Sequence, residues 1–203
     1  MRSARGGGAR YDSGVARPRD FDVDRALDAA VRLFWKQGYA ATSVRQLCDA
    51  MGLLPGSFYA AFESKDALFA RALERYVATQ PLPREPSPEA IRRWLDAIVD
   101  PARTPKGCLL VMSGVERPVL EPAAAKQVRA RFAAMQGFFA RCLAEHGERA
   151  DDDAALIGAA VIAIHVQARA GAEPAALRRI ADRALEAVGL DREKSAPQRA
   201  ARD

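Results

Sequence analysis

The stretch Ser43-Val-Arg-Gln-Leu-Cys-Asp-Ala-Met-Gly-Leu-Leu-Pro-Gly-Ser-Phe-Tyr-Ala-Ala-Phe62 decides how this chain is read. Ser43 followed three residues later by Gln46 is the signature of a capping box, in which each side chain serves the other residue's backbone N–H. Val44, Leu47, Cys48 and Met51 then recur at helical spacing and predict the buried stripe of a helix that stops at Gly52. Pro55 stands where a first helical residue can do without its N–H, and it opens a second helix through Phe62. A helix this short is not stable alone. Leu47, Met51, Leu53 and Phe58 are the side chains expected to clamp the pair together. Two short helices joined by a tight glycine turn can lay the second one in the major groove of DNA.

Helical periodicity continues on both sides. Val23, Leu27, Val31 and Phe34 mark a helix ending at Gly38, and Ser64 caps another with Leu68, Ala72 and Tyr76 inward. Residues 79–88 contain Pro81, Pro83, Pro86 and Pro88 and form a boundary or a stiff connector. Ser87-Pro88 then starts a helix carrying Ile91, Leu95 and Ile98. A loop at 101–105 leads to a short apolar segment at 108–115. A longer helix is expected over about 123–146, with Val128, Phe132, Met135, Phe139 and Cys142 on one side. Asp151, Asp152 and Asp153 precede a helix over roughly 154–169 that is apolar nearly all round, so both of its faces must be covered. A last helix follows Pro174, with Leu177, Ile180, Ala184 and Val188 inward. No useful run alternates with period two, so the predicted fold is all-α.

The wider pattern carries a family resemblance. Leu27-Asp-Ala-Ala30, Leu33-Phe34, Gly38-Tyr39, Thr42-Ser43-Val44-Arg45, Gly52, Gly56-Ser57-Phe58-Tyr59, Phe62, Lys65 and Leu68 together resemble the N-terminal domain of TetR/AcrR-type transcriptional regulators over roughly residues 20–80. Further on, Gly107-Cys108-Leu109-Leu110-Val111 is similar to a segment in some branches of that family. The resemblance implies a DNA-binding domain (20–80, helix-turn-helix 43–62) and a helical effector-binding and dimerisation domain (81–190), and a flexible basic arm (1–19) and a flexible tail (191–203) are expected to flank them. It also implies a homodimer on double-stranded, palindromic operator DNA, and a repressor released by a small-molecule effector.

Carried over residue by residue, Tyr59 and Lys65 match phosphate-contacting positions, while Thr42 and Ser43 lie at the backbone-facing start of the first helix. Arg45, Pro55, Gly56 and Ser57 match positions that approach base edges, and Arg45 has the fork that can bond guanine O6 and N7 together. Leu54 departs from the family pattern, which often has a capping Ser or Thr there. Each assignment has a plainer alternative: Tyr59 as a half-buried aromatic, Lys65 as a solvated charge, Arg45 paired with Asp49 one helical turn on. For the effector the candidates are Trp94, Cys108, Met112, Phe132, Met135, Phe139 and His165, against the alternative of an ordinary bundle core. Cys108 follows Lys106-Gly107 and opens a helix, two features that lower a thiol pKa, so a redox- or electrophile-sensing regulator is the alternative of the same fold.

Composition narrows the remaining classes. The 203 residues are 49% hydrophobic and 28% charged, an ordinary globular balance that excludes collagen-like and disulfide-scaffold proteins. The longest uncharged run, 154–168, is shorter than the 18 or so residues of a membrane span. Cys48, Cys108 and Cys142 are odd in number and far apart, and His146 and His165 have no ligand-spaced companions, so no metal or cofactor is expected. The absence of a phosphate-binding glycine loop or a nucleophile–base pair argues against an enzyme. A helical dimer acting only through protein partners is the other rival. No apolar run opens the chain, and a cytoplasmic protein is expected. Of the net charge of +5, most sits in five arginines of residues 1–19, set against Asp12 alone, while residues 20–80 hold seven basic and eight acidic side chains. The arm, with Gly6-Gly7-Gly8 inside it, either tracks nucleic acid or only aids solubility.

Overall fold

The computed structural model describes residues 21–102 and 106–190. The expectations for residues 1–19 and 191–203 lie outside the described residues. Among these there are nine α-helices and no strand: α1 (Val23–Gln37), α2 (Val44–Met51), α3 (Pro55–Phe62), α4 (Lys65–Ala78), α5 (Pro88–Ile98), α6 (Leu109–Val115), α7 (Pro122–Cys142), α8 (Ala150–Arg169) and α9 (Pro174–Ala187). No helix among them is long and apolar enough to cross a membrane.

The caps follow the sequence. Asp22, Ser43, Ser64 and Ser87 each accept the N–H three residues ahead, and Gln46 completes the box by accepting from the Ser43 N–H. Gly52 ends α2 in the left-handed conformation, which suits glycine. Leu54 offers α3 no side-chain cap.

The apolar packing crosses the boundary drawn at residue 80. One core joins Phe34, Leu47, Phe58, Phe62, Leu68, Phe69 and Tyr76 of the first four helices to Cys108, Leu109 and Val111 around α6 and to Ala124 and Val128 of α7. The other core lies among α5, α7, α8 and α9, around Leu95, Phe138, Phe139, Ile157, Ile164 and Leu185. In α1 the buried stripe is Ala26, Leu27, Ala30 and Phe34, and Val23 is 40% exposed. Small alanines let α1 approach α4 closely, a signal that a count of large apolar residues overlooks.

Two further expectations are corrected. The long seventh helix ends at Cys142, and a 3₁₀ turn, Ala144–Arg149, follows with Gly147 at φ 60°, ψ −129°, outside helical space. The next helix starts at Ala150, so the three aspartates form its first turn rather than preceding it. Asp153 is buried there: its carboxylate accepts from His146 Nδ1 at 2.8 Å and Arg149 at 3.2 Å. The outward face of α8 leaves Leu156, Ile162 and Val166 about two-fifths exposed, so this chain alone does not cover every side of that apolar helix.

Two carboxylates tie the fold to pH. The hydrogen bond from Arg75 holds Asp28 below its ordinary range, and the bond from His146, with Arg149 adding to it, does the same for Asp153. A depressed carboxylate contributes stability above its unfolded pKa, near 3.8, and loses that contribution as pH falls through the lower folded value. The Asp28→Asn, Asp153→Asn double variant should therefore be less stable than wild type at neutral pH. It should also lose less stability below about pH 4. Chemical denaturation across pH checks this, and parallel acid limbs in the two proteins would refute it.

Candidate nucleic-acid interface and internal cavity

Between α1 and α2 the chain makes a short turn whose backbone groups need partners outside the helices. Gly38 N–H closes on Phe34 O, leaving the later carbonyls of α1 without intrahelical donors. Arg169, at the end of α8, donates to Trp35 O at 2.7 Å and Lys36 O at 2.5 Å. Glu116, following α6, accepts Tyr39 N–H at 2.9 Å and Ala40 N–H at 3.0 Å. Lys65 Nζ donates to Tyr39 O at 3.0 Å and Thr42 O at 2.9 Å, and lies 4.1 Å from the Tyr39 ring centroid. Gln37 Nε2 reaches Ala41 O, Thr42 Oγ1 and Gln46 Oε1. The start of α2 is thereby fixed by α1, α4 and two residues far along the chain.

This geometry revises two assigned roles. Thr42 is 1% exposed, and its hydroxyl donates to Gly38 O, so the side chain is a structural brace rather than a surface contact. The Lys65 ammonium likewise turns inward to two carbonyls, so its position in the phosphate-contacting pattern coincides with a scaffold role. The Tyr39 hydroxyl donates to Asp66; burial and that carboxylate push the phenol well above its ordinary pKa.

The other proposed contacts sit on the surface. Ser43, Arg45, Pro55, Gly56, Ser57 and Tyr59 are all exposed, on α2 and α3 or at the start of α2. Arg45 forms no ion pair with Asp49. Tyr59 is 52% exposed, with its ring edge-on to buried Phe58 at 5.2 Å, and Leu54 is 76% exposed. A Cβ added at Gly56 would meet nothing within 4 Å, so packing inside the chain does not require glycine there. A bare backbone at that point leaves room for something outside the chain to come close.

A partly open cavity of about 310 Å³ lies among α4, α5, α6, α7 and α8 and the proline-rich segment. Trp94, Cys108, Phe132, Met135 and His165, all expected effector residues, line it together with Tyr76, Leu82, Leu110, Val111, Arg131 and Val161. Met112 and Phe139 are corrections. Phe139 is fully buried in the core against Trp94, at 5.3 Å between centroids, and Met112 is not part of the lining. Periodicity put Phe139 on the same helical side as Phe132, but that side is shared between cavity and core. Sequence reading placed Tyr76 only on the inner face of α4; its hydroxyl donates to Cys108 Sγ at 3.3 Å and its ring packs edge-on to Trp35 at 4.9 Å. Lys106, expected beside the thiol, instead donates to Pro101 O. Burial pushes the Cys48 and Cys142 thiols up, and neither lines the cavity.

Known proteins resemble this chain most clearly over its first helices. The family model for bacterial regulatory proteins of the tetR family, TetR_N, matches residues 26–72, which include all of α2 and α3. Over that region the chain is similar to the DNA-binding domain of TetR-family regulators. Over 61 residues it is 48% identical to the HTH-type transcriptional repressor ComR of Escherichia coli K12, a match covering 30% of this chain and 29% of ComR. Over 67 residues it is 46% identical to the repressor BdcR of the same organism, covering 33% and 34%. The matched region thus spans about a third of the length of these curated relatives. A solved structure of the TetR family transcriptional regulator CifR, a cysteine mutant complexed with 26-bp double-strand operator DNA, superposes with a TM-score of 0.73. It is 29% identical, over 84% of this chain and 98% of that one.

The turn network makes two substitutions diagnostic. Gly38 has φ 85°, and a Cβ there would stand 2.7 Å from Glu116 Oε1. Gly38→Ala therefore combines positive-φ strain of about 1–3 kcal/mol with displacement of the carboxylate. Lys65→Met removes two charge-assisted bonds and should cost about 1–3 kcal/mol. Both should lower the thermal midpoint by several degrees, whereas Gly56→Ala should leave it unchanged. An unchanged midpoint in Gly38→Ala would contradict the description of the turn.

Proposed function

We propose that the protein is a sequence-specific DNA-binding transcriptional regulator, a homodimeric repressor released when a small apolar molecule enters the cavity. The observation that carries this reading is the exposed set on α2 and α3, held rigid by the turn network and otherwise unexplained by packing. Tyr59 is assigned to phosphate, and Ser43 with it, while Arg45, Pro55, Gly56 and Ser57 approach base edges. The net charge of residues 20–80 gives no general attraction to DNA, so local geometry and the arginines of residues 1–19 supply it. A cavity of this size lies at the lower end of small-molecule sites, about 300–1,000 Å³.

A homodimer is supported by the open groove between α8 and α9, lined by Leu156, Ala159, Ala163, Gln167, Ile180 and Ala184. Palindromic operators mirror such two-fold symmetry. The outward-facing Leu156 and Val166 are the residues to probe. Ile157 and Ile164 are fully buried in the protomer's own core, and substituting them would test folding instead.

Selection from a random double-stranded DNA library, followed by titration on the enriched site, tests the reading. A palindromic site should emerge. Arg45→Ala should then change base preference, while Tyr59→Phe should weaken all sequences alike. Leu156→Asp with Val166→Asp should give a folded monomer with reduced DNA affinity. Failure to enrich any sequence would refute specific DNA binding, and a wild-type monomer at micromolar concentration would refute the dimer.

Electrophile sensing through Cys108 is the second reading, favoured by its place in the cavity wall and by the Tyr76 hydroxyl that donates to its sulfur. Mild alkylation with iodoacetamide should then label Cys108 before Cys48 and Cys142 and release DNA, and Cys108→Ser should stay bound. Equal labelling of the three would leave reversible ligand binding alone.

A further inference from the structure

Two charged side chains that the DNA contacts do not use join the cavity wall to the helix-turn-helix. Glu116 follows α6 directly, and its backbone N–H bonds to Met112 O, so it moves with the helix that carries Leu110 and Val111 in the cavity wall. Arg169 is one turn beyond His165 on α8, in a helix that also contributes Val161 to the wall. Neither is paired with an opposite charge in the described residues. Both spend their polar atoms on the backbone of the α1–α2 turn, 77 and 133–134 residues away in sequence.

We propose that Glu116 and Arg169 are the positioning residues through which occupancy of the cavity sets the placement of the helix-turn-helix. The proposal rests on reading the cavity as the effector site. Arg169 satisfies carbonyls at the C-terminal end of α1, where a cation is also favoured by the helix dipole. Glu116 satisfies the next two free N–H groups, so the pair grips donors and acceptors on either side of Gly38. A rigid grip of this kind has few intermediate states, because a carboxylate that accepts two adjacent N–H groups loses both when its helix shifts. Displacement of α6 by a ligand beside Leu110 and Val111 therefore withdraws the carboxylate and frees the turn that leads into α2. Lys65, rooted in α4, keeps its own bonds, so α2 is loosened rather than unfolded.

Hydrogen–deuterium exchange of the full chain tests this, with 8-anilinonaphthalene-1-sulfonate as a fluorescent apolar probe of the cavity. Without probe, Glu116→Gln should exchange the Tyr39 and Ala40 amides at least about tenfold faster than wild type, because a carboxamide presents an N–H donor to one of them. Peptides from α9 should be unchanged. In the wild type the bound probe should speed the same two amides, and in Glu116→Gln it should add nothing further. Arg169→Lys, which keeps the charge but not the fork, should fall between wild type and Glu116→Gln in its response to the probe.

Absence of a fluorescence rise, or a rise that survives filling the cavity with Val111→Trp, would overturn the cavity reading and the coupling with it. Probe bound in the cavity with Tyr39 and Ala40 exchange unaltered would overturn the coupling while the cavity reading stands. The exchange comparison itself uses wild-type protein, so once the probe is placed in the cavity it decides the coupling even if Glu116→Gln fails to fold.

Discussion

Everything that faces outward on α2 and α3 depends on how the polar backbone between Trp35 and Thr42 is satisfied. A turn this short cannot bond to itself at every position, and buried amides without partners cost on the order of 1–3 kcal/mol each. The chain answers with long side chains from elsewhere: Arg169 and Glu116 from beyond the cavity, Lys65 from α4, Gln37 from α1. Because four separate elements converge on one turn, α2 inherits its orientation from the whole molecule rather than from its eight residues.

The cavity fits the same scheme. Its wall includes Tyr76, whose ring touches Trp35 on α1 while its hydroxyl reaches Cys108 at the start of α6. Trp35 in turn presents its carbonyl to Arg169. One aromatic side chain of α4 thus shares surfaces with the cavity, with α6 and with the first helix. Apolar packing and hydrogen bonding run between the same pieces of structure, which is why the core around Phe34 and Phe69 extends without a break to Leu109 and Val128.

Local chemistry was legible in the sequence where a residue acts on neighbours close along the chain. The Ser43–Gln46 box, the caps at Ser64 and Ser87, Gly52 as a left-handed terminus and uncapped Leu54 all follow from the spacing of adjacent residues. The all-α fold and the helix-turn-helix follow from them. Five of the seven effector candidates line a single cavity, because large apolar residues at helical spacing had to face something central. What the sequence did not disclose depends on distance. Glu116 and Arg169 are ordinary surface types at ordinary helix ends, and only folding brings them to Trp35 and Tyr39. Thr42 and Lys65 matched the right pattern, but whether a side chain turns out or in is decided by the acceptors it meets. Gly147, which breaks the helical path between α7 and α8, carried a signal in its residue type that apolar periodicity outvoted.

Gly38 has a consequence for how such a molecule can be rearranged. The space where its side chain would stand is filled by the carboxylate of a residue 78 positions later, so the first two helices are shaped to fit one particular group from the other part of the chain. Exchanging the first four helices for those of a relative, with the junction placed in the proline-rich segment, would part Gly38 from Glu116 and Trp35 from Arg169. A stable chimera must therefore import the end of α6 and the last turn of α8 along with the first four helices. The unit of inheritance is the contact between the halves, and a cut drawn along the sequence cannot isolate it.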